Sequence, residues 1–269
     1  MKEGRVKIDS RLYNTRGVSI VVLLALIVAV SSCKAHSNAQ PVNDAVTAKA
    51  EVAQADQLYA QRDDLMQLRQ AVVLLEQATI TDPDNYEAAW KLSKFNYYLG
   101  THTTDKHERD KAFSDGIAAG KAAVQLQDGK PDGHFWLGAN YGGPAQSSII
   151  AGLSSVGEIR SEMETVIRLD QGYQNGSAYM VLGLVYLNAP AFAGGDPKKA
   201  VTEMEQGLPY GDGNAFLHLH LAEAYLKVGR KADARRQLES IINMTPDKDY
   251  MPEYRESVSA AQKLLPDTR

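Results

Sequence analysis

Residues 218–247 read HLHLAEAYLKVGRKADARRQLESIINMTPD. Leu221, Ala222 and Tyr225 fall on one face of a first helical run, and Gly229 ends it. Ala234, Leu238 and Ile241 form the apolar stripe of a second run, which Pro246 closes. The pattern predicts two amphipathic helices, a small residue where they cross and a glycine where the chain turns.

The pattern recurs upstream. LGLVY (182–186) supplies Leu182, Gly183 and Tyr186; WLGANY (136–141) supplies Leu137, Gly138 and Tyr141; AWKLSKFNYYLG (89–100) supplies Leu92, Ser93 and Gly100. A weaker first copy has Leu58, then Ala71, Leu75, Ala78 and Pro83. These copies resemble tetratricopeptide repeats, whose period is near 34 residues. The equivalent leucines are spaced by 34, 45, 45 and 39 residues. The excess fits THTTDKHERDK (101–111), GGPAQSSIIAG (142–152) and about five residues of NAPAFAGGDPKKA (188–200), each between the two helices of a repeat. The fold expected is all-α, a tetratricopeptide-repeat-like α-solenoid of about five helix pairs with insertions in the intra-repeat turns. Such insertions gather on one rim. PEYRESVSAAQKLL (252–265) reads as a terminal cap with a solvated outer face, Pro252 in its first turn.

The N-terminus reads differently. Basic residues precede the apolar run VSIVVLLALIVAV (18–30), which ends at Val-Ser-Ser-Cys (30–33). Thirteen residues are short for a membrane span and suit a signal peptide. Cys33, the only cysteine, resembles the acylated residue of a bacterial lipobox; an ordinary signal peptide or membrane anchor with an incidental cysteine is the other reading. The expected organisation is a lipoprotein signal at 1–32, a lipidated flexible tether at 33–43 and a helical-repeat domain at 44–269. Lys34, in place of an aspartate that would favour the inner membrane, leans towards the outer membrane, facing the periplasm. Removal of residues 1–32 shifts the formal charge from −4 to −7, which argues against a nucleic-acid partner.

Catalytic motifs are missing. There is no Gly-x-Ser-x-Gly elbow and no P-loop. His107-Glu108 lacks the second histidine of a zinc protease motif, and His218 and His220 point to different faces. No cofactor, metal or catalytic set is expected. Asp63-Asp64 reads as a helix start, and Asp196 followed by Pro197 as an N-cap with proline in the first turn, rather than as a ligand site.

Aromatics concentrate on two first helices: Trp90, Phe95, Tyr97 and Tyr98, then Phe135, Trp136 and Tyr141. Phe95 and Tyr98 share one face, Trp90 and Tyr97 another. Both stripes can be core between repeats; if both are apolar and only one is buried, the second lines a groove.

FWLGANYGG (135–143), EIRSEMETVIRLD (158–170), GSAYMVLGLVYLNAP (176–190) and AGGDPKKAV (193–201) follow in order. With the lipoprotein signal, this order resembles the TatT family, the T component associated with some tripartite ATP-independent periplasmic (TRAP) transporters. The resemblance covers roughly residues 50–245. It implies a periplasmic lipoprotein that can form trimers, holds a small apolar or amphipathic ligand in a groove or pore, and docks a periplasmic solute-binding protein. Groove and rim candidates are Trp90, Tyr97, Trp136, Asn140, Tyr141, Gly142, Gly143, Pro190, Gly194 and Gly195. The alternative is a scaffold lipoprotein that assembles an envelope complex by cradling peptides.

Overall fold

A computed structural model describes residues 40–143 and 154–269, with side chains from Asp44 onward. The expected signal peptide, Cys33, the first part of the tether and residues 144–152 of the second addition lie outside the described residues. Helix α1 (Gln40–Tyr59) already begins within the segment expected as tether.

Among the described residues there are eleven α-helices and no strand, all in one compact unit. Five antiparallel pairs follow in chain order. They are α1 with α2 (Leu65–Thr81), α3 (Tyr86–His102) with α4 (Lys106–Leu126), α5 (Pro131–Gly142) with α6 (Val156–Leu169), α7 (Ser177–Asn188) with α8 (Pro197–Gly207), and α9 (Ala215–Lys227) with α10 (Lys231–Asn243). Helix α11 (Met251–Leu264) packs on α9 and α10 as the terminal cap.

The repeat residues do what their spacing predicts. Leu221, Ala222, Ala234, Leu238 and Ile241 are fully buried, and so are Ala71, Leu75 and Ala78 in the first pair. Gly183 is in direct contact with Met204 of its partner helix, where a β-carbon would fall 2.5 Å from Cγ. Small residues at these crossings set how closely a pair can pack. Gly229 takes φ +79° and the amide of Arg230 returns to the Tyr225 carbonyl, which closes α9. Asp64, Asn85, Asp105, Asp196 and Asn214 each cap the helix that follows by accepting a backbone N–H.

The first addition is taken up mostly as helix. Residues 101–102 continue α3, residues 103–105 make the turn, and the rest opens the 21-residue α4. Asp105 caps α4 at Glu108 N (3.0 Å), and Lys106 pairs with Asp110 one turn on, so this polar run is a helix start and not a loop. The third addition is a short 3-10 turn, Ala191–Ala193, followed by Gly194 at φ +88°. A β-carbon on Gly195 would lie 1.7 Å from the Ala189 carbonyl oxygen, and the Asp196 amide closes the loop onto Tyr186 O. Both glycines are therefore demanded by backbone geometry.

Candidate ligand-binding cavity

The first helices of successive pairs line the inner face of the solenoid. They enclose a cavity of about 780 Å³. Its walls come from Tyr59 of α1, Lys94, Tyr97 and Tyr98 of α3, Phe135 and Trp136 of α5, Met180 and Val181 of α7, and Phe216 of α9. Residues 246–256, leading into α11, complete it. The volume is in the range of small-molecule sites, and the wall joins an aromatic and aliphatic side to charged groups that include Arg62, Asp63, Glu253, Arg255 and Glu256.

The aromatic side falls into two groups of rings, with Lys94 against one ring of each. Tyr59 stacks on Phe95 at 4.0 Å and meets Tyr98 edge-on at 5.9 Å; Tyr97 meets Trp136 at 5.8 Å, and Trp136 meets Phe135 at 4.9 Å. Burial pushes the Tyr59 and Tyr97 hydroxyls above their ordinary range, so both present neutral rings at any physiological pH.

One ion pair ties the α1–α2 turn to the start of α11 across this face. Arg62, in the turn after α1, donates to both Glu253 carboxylate oxygens (2.9 and 2.7 Å) through one nitrogen and to the Asp249 carbonyl (2.6 Å). Its guanidinium lies over Tyr59 and Tyr98 at 4.8 and 5.4 Å. Arg255 reaches Asp63 (3.2 Å), His102 reaches Glu256 (3.0 Å), and the Tyr250 hydroxyl donates to Gln174 (2.8 Å). Gln174 and Asn175, both on the cavity wall, have positive φ (48° and 53°), and this backbone carries Gln174 to that contact.

The residues expected at the site separate into groups. Tyr97 and Trp136 line the cavity. Trp90 shares their helix face but lies two turns back, packed with Tyr86 and Ala123 on one side and the cluster of Phe135 and Trp136 on the other. Asn140 is wholly buried: its amide donates to Ser93 O (3.0 Å), Ser93 Oγ (3.1 Å) and Trp136 O (2.8 Å), so it joins α3 to α5 inside the wall. Tyr141, Gly142 and Gly143 close α5 away from the cavity, Tyr141 beneath Lys121 and Gly143 against Phe113. Pro190, Gly194 and Gly195 shape the α7–α8 loop, which is not a cavity wall and carries Phe192, an 86 % exposed aromatic. Sequence reasoning did not reach Tyr59, Arg62, Lys94, Glu253 and Tyr250. For Lys94 a signal existed, since it sits four residues after Trp90 and three before Tyr97 in the same stripe.

His218 bonds Gln237 and His220 bonds Glu223, while Glu108 is held by Arg69 (2.6 and 2.8 Å) and the Thr103 hydroxyl. Among the described residues no group of histidines and carboxylates is placed to hold a metal, and no helix is long and apolar enough to cross a membrane.

Comparison with solved structures agrees with this architecture. TTC0263, a thermophilic TPR protein of Thermus thermophilus, superposes with a TM-score of 0.58 at 23 % identity, over 79 % of this chain and 99 % of that one. PilF of Pseudomonas aeruginosa superposes with a TM-score of 0.53 at 18 % identity, over 82 % and 92 %. The fold is a tetratricopeptide-repeat-like solenoid. At these identities the likeness carries the fold and no activity. A family model described as regulator of microtubule dynamics protein 1-3 matches residues 52–184, from within α1 to within α7. No curated protein matches the chain.

Proposed function

We propose that this protein is a non-enzymatic, lipid-anchored binding protein whose cavity holds a small, partly apolar ligand, acting as a TatT-like accessory component of TRAP-type uptake beside a periplasmic solute-binding protein. The observation that carries the ligand part is the 780 Å³ aromatic-walled cavity bridged by the Arg62–Glu253 pair. A tetratricopeptide-like solenoid presents its inner face to protein or peptide partners as readily as to small molecules. Here residues 246–256 span that face, which favours a compact occupant over a long extended segment. The non-enzymatic reading is supported by the pairing of the ionisable groups Arg62, His102, Arg255, Asp63, Glu253 and Glu256 with one another on the wall. The uptake role and the possible homotrimer rest on the order of motifs across residues 135–201 and on Cys33.

Native mass measurement of the full-length protein, purified from membranes with lipid and ligand retained, tests this directly. The expected spectrum shows acylation at Cys33 and a co-purifying small molecule, and cross-linking from the same membranes captures a solute-binding protein. Absence of both ligand and receptor overturns the transport reading. Capture of extended peptides competing with nothing in the cavity favours the scaffold alternative.

A further inference from the structure

Several charges around the cavity are matched: Arg62 with Glu253, Arg255 with Asp63, His102 with Glu256, and Asp56 with Lys91. Lys94, from the middle of α3, is different. Among the described residues it has neither an ion pair nor a hydrogen bond. Its ammonium lies 4.9 Å from the centre of the Tyr59 ring and 5.5 Å from that of Trp136. Two ring faces are a partial substitute for water, worth less than an anion in hydrogen-bond reach. A cation drawn out of water without a counter-ion is costly, and Lys94 shows it: burial first, then the repulsion of Arg62, bring its amine down to about 8. Arg62 is less suited to the same occupant, because its Nε and one terminal nitrogen are held by Glu253 and the Asp249 carbonyl while the other terminal nitrogen faces the Tyr59 carbonyl at 3.5 Å.

An unmatched ammonium drawn out of water between two aromatic rings calls for a single negative charge on an apolar body; Lys248, which also lines the cavity and has no ion pair among the described residues, stays exposed to solvent. A doubly charged phosphate would need several donors, and the guanidiniums on the wall, Arg62 and Arg255, are engaged with Glu253 and Asp63. Deepening the ligand-binding reading above, on which this rests, we infer that Lys94 anchors the carboxylate of an amphipathic monoanion whose apolar part lies along Tyr59, Tyr97, Trp136 and Met180. The charged groups facing Lys94 are Asp56 from α1, Arg62 from the α1–α2 turn, Glu253 from α11 and Lys91 from its own helix. Asp56, Arg62, Glu253 and Lys91 are committed to ion pairs, so Lys94 is the group whose protonation follows the ligand. At pH 9 the free amine is mostly neutral, and binding a carboxylate draws a proton from the buffer.

The test uses the full chain and three probes of one shape: 4-phenylbutanoate, 4-phenylbutanol and 4-phenylbutylamine. Calorimetry is expected to give the acid at least a tenfold lower Kd than the alcohol at pH 7, with the amine weakest. At pH 9, acid binding measured in two buffers of different ionisation enthalpy takes up about one proton. Lys94→Met removes the preference for acid over alcohol while the alcohol still binds. Lys94→Arg keeps the preference and loses the proton uptake. An acid that binds no tighter than the alcohol in the unmodified chain overturns the inference while leaving the ligand-binding reading standing, and needs no variant to fold. Failure of all three probes, with no small molecule in the native mass spectrum, sinks both.

Discussion

Arg62→Met is the substitution that tests how the cavity is closed. The Arg62 side chain is 5 % exposed and Glu253 18 %, and they meet through contacts of 3.0, 2.9 and 2.7 Å. Removing one partner of a buried pair costs about 3–5 kcal/mol, because the other charge is stranded. Glu253 retains some access to water, so the lower end, about 3 kcal/mol, is the expected cost. That cost need not unfold the solenoid. The C-terminal half of α11 is anchored by Val258, Ala261 and Leu264 against the α9–α10 core. The stranded carboxylate can instead escape by lifting residues 247–256 off the inner face. Hydrogen exchange read by mass spectrometry is therefore the assay, with α10 as internal reference. A loss of about 3 kcal/mol predicts about a 100-fold faster exchange at 247–256 and little change at 231–243. The double variant Arg62→Met/Glu253→Leu should recover most of the protection, since apolar replacement of both partners leaves no orphan charge. Exchange at 247–256 within about threefold of the unmodified protein would refute the reasoning, and so would a double variant no better than the single.

Two further outcomes follow from named contacts. A β-carbon on Gly120 would lie 2.9 Å from the Leu137 backbone and 3.0 Å from Ser93 Oγ, where α3, α4 and α5 meet. Gly120→Ala should therefore lose about 1–3 kcal/mol in urea unfolding despite a helix-propensity gain of up to about 1 kcal/mol; Gly129→Ala, in open space, should stay within about 0.5 kcal/mol, and equal stability of the two removes the crossing argument. His134, 6 % exposed, faces Glu162 (2.6 Å) and the Asp128 carbonyl (2.8 Å), and the Glu162 carboxylate raises its pKa above the ordinary 6.5. A raised folded-state value means stability present in full below about pH 6.5 and lost as pH climbs through the raised value. Urea midpoints at pH 6 and pH 9 should differ less in His134→Gln than in the unmodified chain, and an unchanged difference counts against the pair.

Much of the fold was legible because its determinants are local. A leucine and a small residue three or four positions before a tyrosine, with a glycine at the turn, specify a helix pair wherever they recur, and each of Leu137, Leu182 and Leu221 is buried where that pattern puts it. Counting residues located the first addition but not its form. Asp105, Glu108 and the Lys106–Asp110 pair make residues 106–111 a helix start, and this was readable in the same letters that suggested a polar turn. Asn140 was assigned to a groove from its motif neighbours, yet its amide satisfies the carbonyl and hydroxyl of Ser93 within the wall. A polar residue inside an apolar run marks either a site or an interior hydrogen bond, and only the partner helix decides which. The closure of the cavity had no local signature at all. Arg62 and Glu253 are 191 residues apart, and neither sits in a pattern that names the other.

That closure bears on what the inner face can hold. An extended peptide advances about 3.3 Å per residue, and a segment long enough to follow five helix pairs would have to pass beneath residues 247–256. Those residues are tied to Arg62 and Gln174, so a peptide that displaces them loses a buried ion pair. A small ligand meets no such cost once inside. It finds aromatic surface on three successive repeats and, at Lys94, an ammonium held between two rings that no described residue pairs with. The same contacts that make the groove poor for peptides make it selective for a compact anion, because the segment that spans the face also supplies Glu253 to occupy Arg62 and leaves Lys94 without an anion of its own.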